Sequence, residues 1–292
     1  MRPIAADASS PPIGAHVSTA GGIQLAPSRA GRLGADALQL FTKSPQQWAE
    51  RVLTADVVLA FVHARREAGI VVAASHDSYL INLATPDRIL RDKSVRAFRA
   101  ELERCEQLGL EFLVTHPGNA TSGSRESALR QNAELIGQVV EQVPGRTRVL
   151  LETTAGSGSS LGCRFEEIAL MIDGQPPEVR ERLGVCLDTA HVFAAGYDLR
   201  GDYDAVVKCF DAVVGLDRLA LIHCNDSLGA LGSRRDRHTD IGAGQLGEGV
   251  FRDLMRDPRL GSVPRVLETP KGEDPIAADR RNLATLRRLA GS

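Results

Sequence analysis

The chain has 292 residues, 43% of them hydrophobic, and its 35 basic and 37 acidic side chains leave a formal charge of -2. No strong overall field for polyanions exists at that charge, so any contact with nucleic acid must come from a local patch. The five cysteines, Cys105, Cys163, Cys186, Cys209 and Cys224, are odd in number and widely spaced, which argues against a disulfide framework and for reduced thiols.

In chain order, residues 1–12 end in Ser-Ser-Pro-Pro and have the composition of a flexible tail. From residue 13 to 290 no linker interrupts the pattern, and a single domain is expected. Short apolar runs recur at 13–17, 37–41, 70–74, 112–115, 148–151, 184–187, 219–222 and 265–267. Each has the length of a buried strand. Helical spacing fills the gaps: 57–69, then Val95, Phe98, Leu102 and Cys105 ending at Gly109, then Leu129, Ile136 and Val140 ending before Pro144. A further segment covers 203–215, and Ile276, Leu283, Leu286 and Leu289 carry the pattern to the end. Strands alternating with helices over this length predict an α/β fold, a (β/α)8 TIM barrel. The alternative, an open doubly wound sheet, is disfavoured because Gly21-Gly22 after the first strand is not a dinucleotide-binding loop. No apolar run approaches the roughly 20 residues of a membrane span, and no signal peptide is visible, so a cytoplasmic protein without membrane association is expected.

Polar residues crowd the strand ends. The third strand runs into His76, the fourth into His116, the fifth into Glu152, the sixth into Asp188 and His191, the seventh into His223 and the eighth into Glu268. The loop after the seventh adds Asp236 and His238 between Arg234, Arg235 and Arg237. In a barrel these ends converge on one mouth. A lone histidine at such a position is ordinarily a packing or hydrogen-bonding residue. Here five of the seven histidines lie at or just beyond strand C-termini and alternate with carboxylates, a donor set suited to zinc or a similar ion. Nine donors exceed the needs of one tetrahedral ion; shared among three, with a bridging carboxylate and water in the open positions, they make a plausible catalytic cluster. His63, on a helical pattern rich in Ala and Arg, is expected to face solvent. His16 ends the first strand, where packing and a substrate-side role are equally open. Trp48, the only tryptophan, reads as a packing residue.

Nine segments, GAHVS (14–18), LFTK (40–43), HDSYLIN (76–82), HPG (116–118), ETTAG (152–156), CLDTAH (186–191), HCND (223–226), GSRRDRH (232–238) and LET (267–269), closely resemble the endonuclease IV family. That family comprises zinc-dependent apurinic/apyrimidinic DNA repair endonucleases. The resemblance runs from residue 13 to the final helix and implies three zinc ions per chain, with manganese or iron possible at some sites. The first would take His76, His116 and Glu152. Glu152 would bridge to a second, held also by Asp188, His223 and Glu268, and the third would take His191, Asp236 and His238. It further implies hydrolysis of the phosphodiester 5′ to abasic sites, leaving a 3′-OH and a 5′-deoxyribose phosphate, and removal of 3′-blocking groups. The implied nucleophile is a hydroxide bridging two ions, with Glu152 and Glu268 as catalytic carboxylates, since zinc lowers the pKa of bound water from 15.7 towards about 7.

The implied partner is double-stranded DNA carrying an abasic site or a blocked 3′ end, bound by a monomer that associates with the nucleoid during repair. Gln46, Gln47, Tyr79 and Leu80 match positions that enter the duplex, and Arg234, Arg235 and Arg237 are candidates for phosphate contacts. The chain departs from the family at Gln46, where relatives often carry Arg, and at Ser227-Leu228 and Ala243, which replace polar or charged residues. A two-metal sugar isomerase or epimerase on the same barrel is the competing expectation. It would need Glu152, Asp188, His223 and Glu268 but not His191, Asp236 and His238.

Overall fold

The computed structural model of the protein describes residues 11–49 and 52–291; the expected tail lies outside these apart from residues 11 and 12. The strands are β1 (Ile13–His16), β2 (Ala37–Phe41), β3 (Val72–His76), β4 (Phe112–Thr115), β5 (Arg148–Glu152), β6 (Leu183–Asp188), β7 (Leu219–His223), β8 (Asp226–Ser227), β9 (His238–Thr239) and β10 (Arg265–Leu267). The helices are α1 (Ala26–Arg32), α2 (Ala55–Glu67), α3 (Arg88–Leu108), α4 (Arg125–Gln142), α5 (Phe165–Asp173), α6 (Pro177–Arg180), α7 (Thr189–Ala195), α8 (Tyr203–Val213), α9 (Gly247–Arg256) and α10 (Pro275–Ala290). Strands β1 to β7 and β10 pair in parallel and close a barrel in the order β1-β10-β7-β6-β5-β4-β3-β2, while β8 and β9 form a separate antiparallel ribbon. The fold is a TIM barrel.

Local chemistry sets the helix limits. Thr54, Asp87 and Ser124 cap α2, α3 and α4 by accepting a backbone N–H with the side chain, and α3 stops at Gly109 in the left-handed conformation. The third strand begins and ends two residues later than its apolar run suggests. Ile70 and Val71 precede the pairing, while the polar Ser75 and His76 continue it against Leu113 and Val114.

The strands alternate between two cores. Leu38 and Leu40 face out beneath the helices with Phe98, Leu113 and Val149, and each such buried side chain stabilises the fold by about 1.5–3 kcal/mol. Ala37, Ala74, Val114, Leu150, Cys186, Leu221 and Val266 face inward and plug the barrel. Gly14 is required where β1 crosses β2, because a Cβ there would lie 1.7 Å from the Ala37 carbonyl oxygen. Above the apolar plug the inward positions turn polar. All five cysteines are free; Cys105, Cys186 and Cys224 are buried and Cys163 and Cys209 half-buried. Among the described residues no helix is long and apolar enough to cross a membrane.

Candidate metal centre

The site forms because strand register puts the polar strand ends at one level. Asp188 pairs with His223 across β6 and β7, and Glu152 pairs with Cys186 across β5 and β6, so their side chains share the mouth. Glu152 is fully buried at the centre. Its Oε2 lies 3.1 Å from His76 Nε2 and 3.3 Å from His116 Nε2, and its Oε1 lies 3.1 Å from His223 Nδ1 and 3.3 Å from His191 Nδ1. His223 Nδ1 also lies 3.2 Å from Glu268 Oε2 and 3.9 Å from Asp188 Oδ2. On the outer side Asp236 Oδ1 is 3.1 Å from His191 Nε2 and 3.4 Å from His238 Nε2, and His238 Nε2 is 3.6 Å from Asp188 Oδ2.

Three groups of donors converge closely enough to hold an ion: His76, His116 and Glu152; Glu152, Asp188, His223 and Glu268; and Asp188, His191 and His238. The first two coincide with sets expected from the sequence. In the third, Asp188 stands beside His191 and His238, while Asp236 touches both imidazoles from a half-exposed position. All nine candidate donors therefore meet at one mouth.

Whether the donors suit a cation can be read from their surroundings. Four carboxylates crowd together, and burial of such charge needs compensation. Burial disfavours the charged form of Glu152, yet His223 and His116 outweigh it and hold this carboxyl well below the usual range. Burial likewise opposes protonation of His76, but Glu152 and Asp77 push it up to about 9. His191 and His223 are raised for the same reason, against burial and by neighbouring acids. The mouth thus attracts positive charge strongly. His191 Nε2 and His238 Nε2 are buried yet make no well-directed hydrogen bond within the protein. Convergent, unbonded nitrogens beside carboxylate oxygens are what a shared divalent cation requires.

A supporting layer, only partly visible in the sequence, holds these groups. Asn225 donates to Asp188 Oδ2 at 2.6 Å and accepts from the Glu268 amide at 2.8 Å, tying β6 to β10. The Thr115 hydroxyl donates to Asp77 Oδ2 at 2.6 Å, and the Asp77 carbonyl lies 2.8 Å from His76 Nδ1. His16 approaches Glu268 Oε1 at 3.2 Å and so joins the site rather than serving packing alone. Gln39 lies among the same groups. Asn225 lies within the HCND segment, whereas the one sequence mark of Gln39 is its parity with Ala37 and Phe41 on β2.

Six of the nine donors, all but Glu152, Asp188 and His223, line a cavity of about 560 Å³, bounded also by Phe41, Tyr79, Arg237 and Lys271. Tyr79 is exposed and its ring is stacked at 6.2 Å on His116. Of the other expected DNA contacts, Gln46, Gln47, Arg234 and Arg235 are exposed and Leu80 is half-buried, and none of them lines this cavity. Trp48 is half-buried and carries Lys93 Nζ 4.4 Å above its ring. His63 faces solvent beside Glu67.

A closed parallel barrel with acid and imidazole donors at its C-terminal mouth defines the class. Over residues 27–289 the chain matches the family described as xylose isomerase-like TIM barrel. It is 48% identical over 282 residues to the protein named "Probable endonuclease 4" of Chloroflexus aggregans, covering 96% of this chain and 98% of the relative. The crystal structure of endonuclease IV from Thermus thermophilus superposes with a TM-score of 0.85 at 38% identity, covering 96% of this chain and 99% of that one. A D-tagatose 3-epimerase-like protein shares the fold, at a TM-score of 0.71, 16% identity and coverage of 96% and 98%. The chain belongs to the endonuclease IV family, and so to the nucleases, a class of hydrolase.

Proposed function

We propose that the protein is a metal-dependent DNA repair endonuclease that hydrolyses the phosphodiester 5′ to abasic sites, leaving a 3′-OH and a 5′-deoxyribose phosphate, and trims 3′-blocking groups. The observation that carries this reading is the sharing of Glu152 between neighbouring donor groups at one mouth. A pair of adjacent cation sites suits displacement at phosphorus, where attacking and leaving oxygens both need stabilising.

The ions proposed are three zinc ions, manganese and iron being the other candidates. His76, His116 and Glu152 would hold one, Glu152, Asp188, His223 and Glu268 a second, and His191, Asp236 and His238 a third, with Asp188 near enough to assist. Bound there, divalent ions would supply Lewis acidity, lowering the pKa of water and neutralising phosphate charge. The chain's own groups do the remainder. Glu268, at the rim of the second set, orients or deprotonates the attacking water. Glu152 keeps two donor groups in register through its two oxygens. Arg237, on the cavity wall, grips a phosphate oxygen, while Arg234 and Arg235 attract the flanking backbone without reading sequence. Tyr79 and Leu80 enter the minor groove, and Gln46 and Gln47 fill the stack as the abasic sugar turns into the cavity, which is cheapest where the base is already missing. The protein works as a cytoplasmic monomer that associates with the nucleoid during repair.

The test is incision of a duplex with one synthetic abasic site, with and without chelator, beside a count of metals per chain. Chelator-sensitive cleavage and three ions support the proposal. Two ions and an uncut duplex would instead favour a sugar isomerase or epimerase, for which Glu152, Asp188, His223 and Glu268 would suffice.

A further inference from the structure

We propose that Gln39 is a positioning residue of the metal centre, its side-chain amide setting which nitrogen of His223 faces the ions and where the carboxylate of Glu268 points. The inference rests on the metal-dependent reading above and adds a residue to it. Gln39 lies on β2 in register with His16, on the inward-facing side with Ala37, one layer above the apolar plug. It is fully buried. A primary amide in such a place costs stability unless its donors and acceptor are engaged. Here they all are: Nε2 lies 2.6 Å from Glu268 Oε1 and 3.1 Å from His16 Nδ1, and Oε1 lies 2.8 Å from His223 Nε2.

These contacts determine the hydrogen positions. An ionised carboxylate only accepts, so the NH2 end of Gln39 must face Glu268. The amide oxygen then faces His223, and an oxygen also only accepts, so a neutral, ion-bound His223 must carry its one hydrogen on Nε2. That leaves the Nδ1 lone pair directed at Glu152 and Glu268, each within 3.2 Å, where the second ion would sit. A hydrogen bond to the far nitrogen of a ligating imidazole fixes its tautomer and ring plane, and losing one weakens metal affinity by about 10–100-fold. Gln39 does this for His223 and holds Glu268 with the same side chain. One residue therefore ties β7 to β10 through β2.

The experiment compares zinc-loaded parent protein with Gln39→Met, which keeps length and volume, and Gln39→Glu, which restores an acceptor for His223 but faces Glu268 with like charge. Retention of each zinc is measured by competition with a graded chelator, beside the melting temperature of the metal-stripped proteins. Gln39→Met should release one zinc per chain about 10–100-fold more readily, with the other two held as in the parent. Gln39→Glu should also release that one ion early. In the parent, nitrogen-detected NMR should find His223 with a slowly exchanging hydrogen on Nε2. Unchanged release of all three ions from Gln39→Met, even loss of all three together, or a His223 that carries its hydrogen on Nδ1 would overturn the proposal. The NMR measurement decides if neither variant folds. A parent protein that binds no zinc would instead defeat the metal-dependent reading itself.

Discussion

Asp226 and Gly244 are in close contact: the Gly244 amide donates to Asp226 Oδ2 at 3.0 Å, and a Cβ on Gly244 would lie 2.4 Å from Asp226 Oδ1. The same carboxylate accepts from the amides of Gly242, Leu246 and Gly247. It gathers a glycine-rich loop whose Ile241 and Leu246 side chains are buried in the core, and Gln245 N–H donates to the Ser227 carbonyl at 2.7 Å beside it.

Removing that anchor should be costly. Asp226→Ala leaves several amides without an acceptor in a half-buried turn, and a loss of roughly 2–4 kcal/mol is expected by urea unfolding. Because β8 pairs with β9 (Asp226 with Thr239, Ser227 with His238), the same variant should loosen the segment bearing Asp236 and His238. The expected signature is faster release of one bound metal; equal release of all would contradict it.

Glu268→Gln should abolish incision while preserving binding to abasic DNA. The amide keeps the size of the side chain but cannot accept a proton, so a fall in kcat of roughly 100-fold or more is expected, with Kd within a few-fold. Undiminished cleavage would remove Glu268 from its assigned role.

Arg237 borders the cavity and Arg235 does not. Arg237→Ala should therefore weaken abasic-duplex binding more than Arg235→Ala. Its salt dependence should flatten by about one phosphate contact. Titrations at several salt concentrations read this directly, and a slope for Arg237→Ala equal to the parent's would count against a phosphate contact at Arg237.

Glu101 offers a test of stability against pH away from the donor cluster. This carboxyl on α3 accepts from the Thr42 hydroxyl, and Arg104 donates to the Thr42 carbonyl. Burial pushes Glu101 up from its ordinary 4.5 to about 7, despite the opposing pull of Thr42, Lys43 and Arg104. The folded state then holds a proton that the unfolded chain releases, so stability falls as pH rises from about 4.5 to 7. Glu101→Gln should escape that loss and gain roughly 2–4 kcal/mol relative to the parent between pH 4.5 and 8. A difference in denaturation midpoint that stays constant with pH would refute it.

Much of this was legible in the residues, for a physical reason. Parallel strands covered on both faces read as short apolar runs, and the residue that breaks each run is the one the barrel delivers to its mouth. His116, Asp188 and Glu268 were found in that way. The strand ends were harder to place, because Glu152, Asp188 and His223 are themselves paired in the sheet rather than beyond it. The ribbon of β8 and β9 escaped notice since two-residue strands carry no periodicity. Gln39 was hidden for another reason: between Leu38 and Leu40 it looks like a tolerated exception. Its parity with Ala37 and Phe41, which marks the inward face, was the available signal.

His16 and Glu268 meet at the mouth although 252 positions separate them, and β1 closes the barrel directly against β10. During synthesis the amino-terminal portion emerges first and begins to fold while the last strand is still inside the ribosome. A nascent chain at that stage has its His76, His116 and Glu152 but neither its closing strand nor Glu268. The donor cluster is therefore completed only when the last strand closes the barrel.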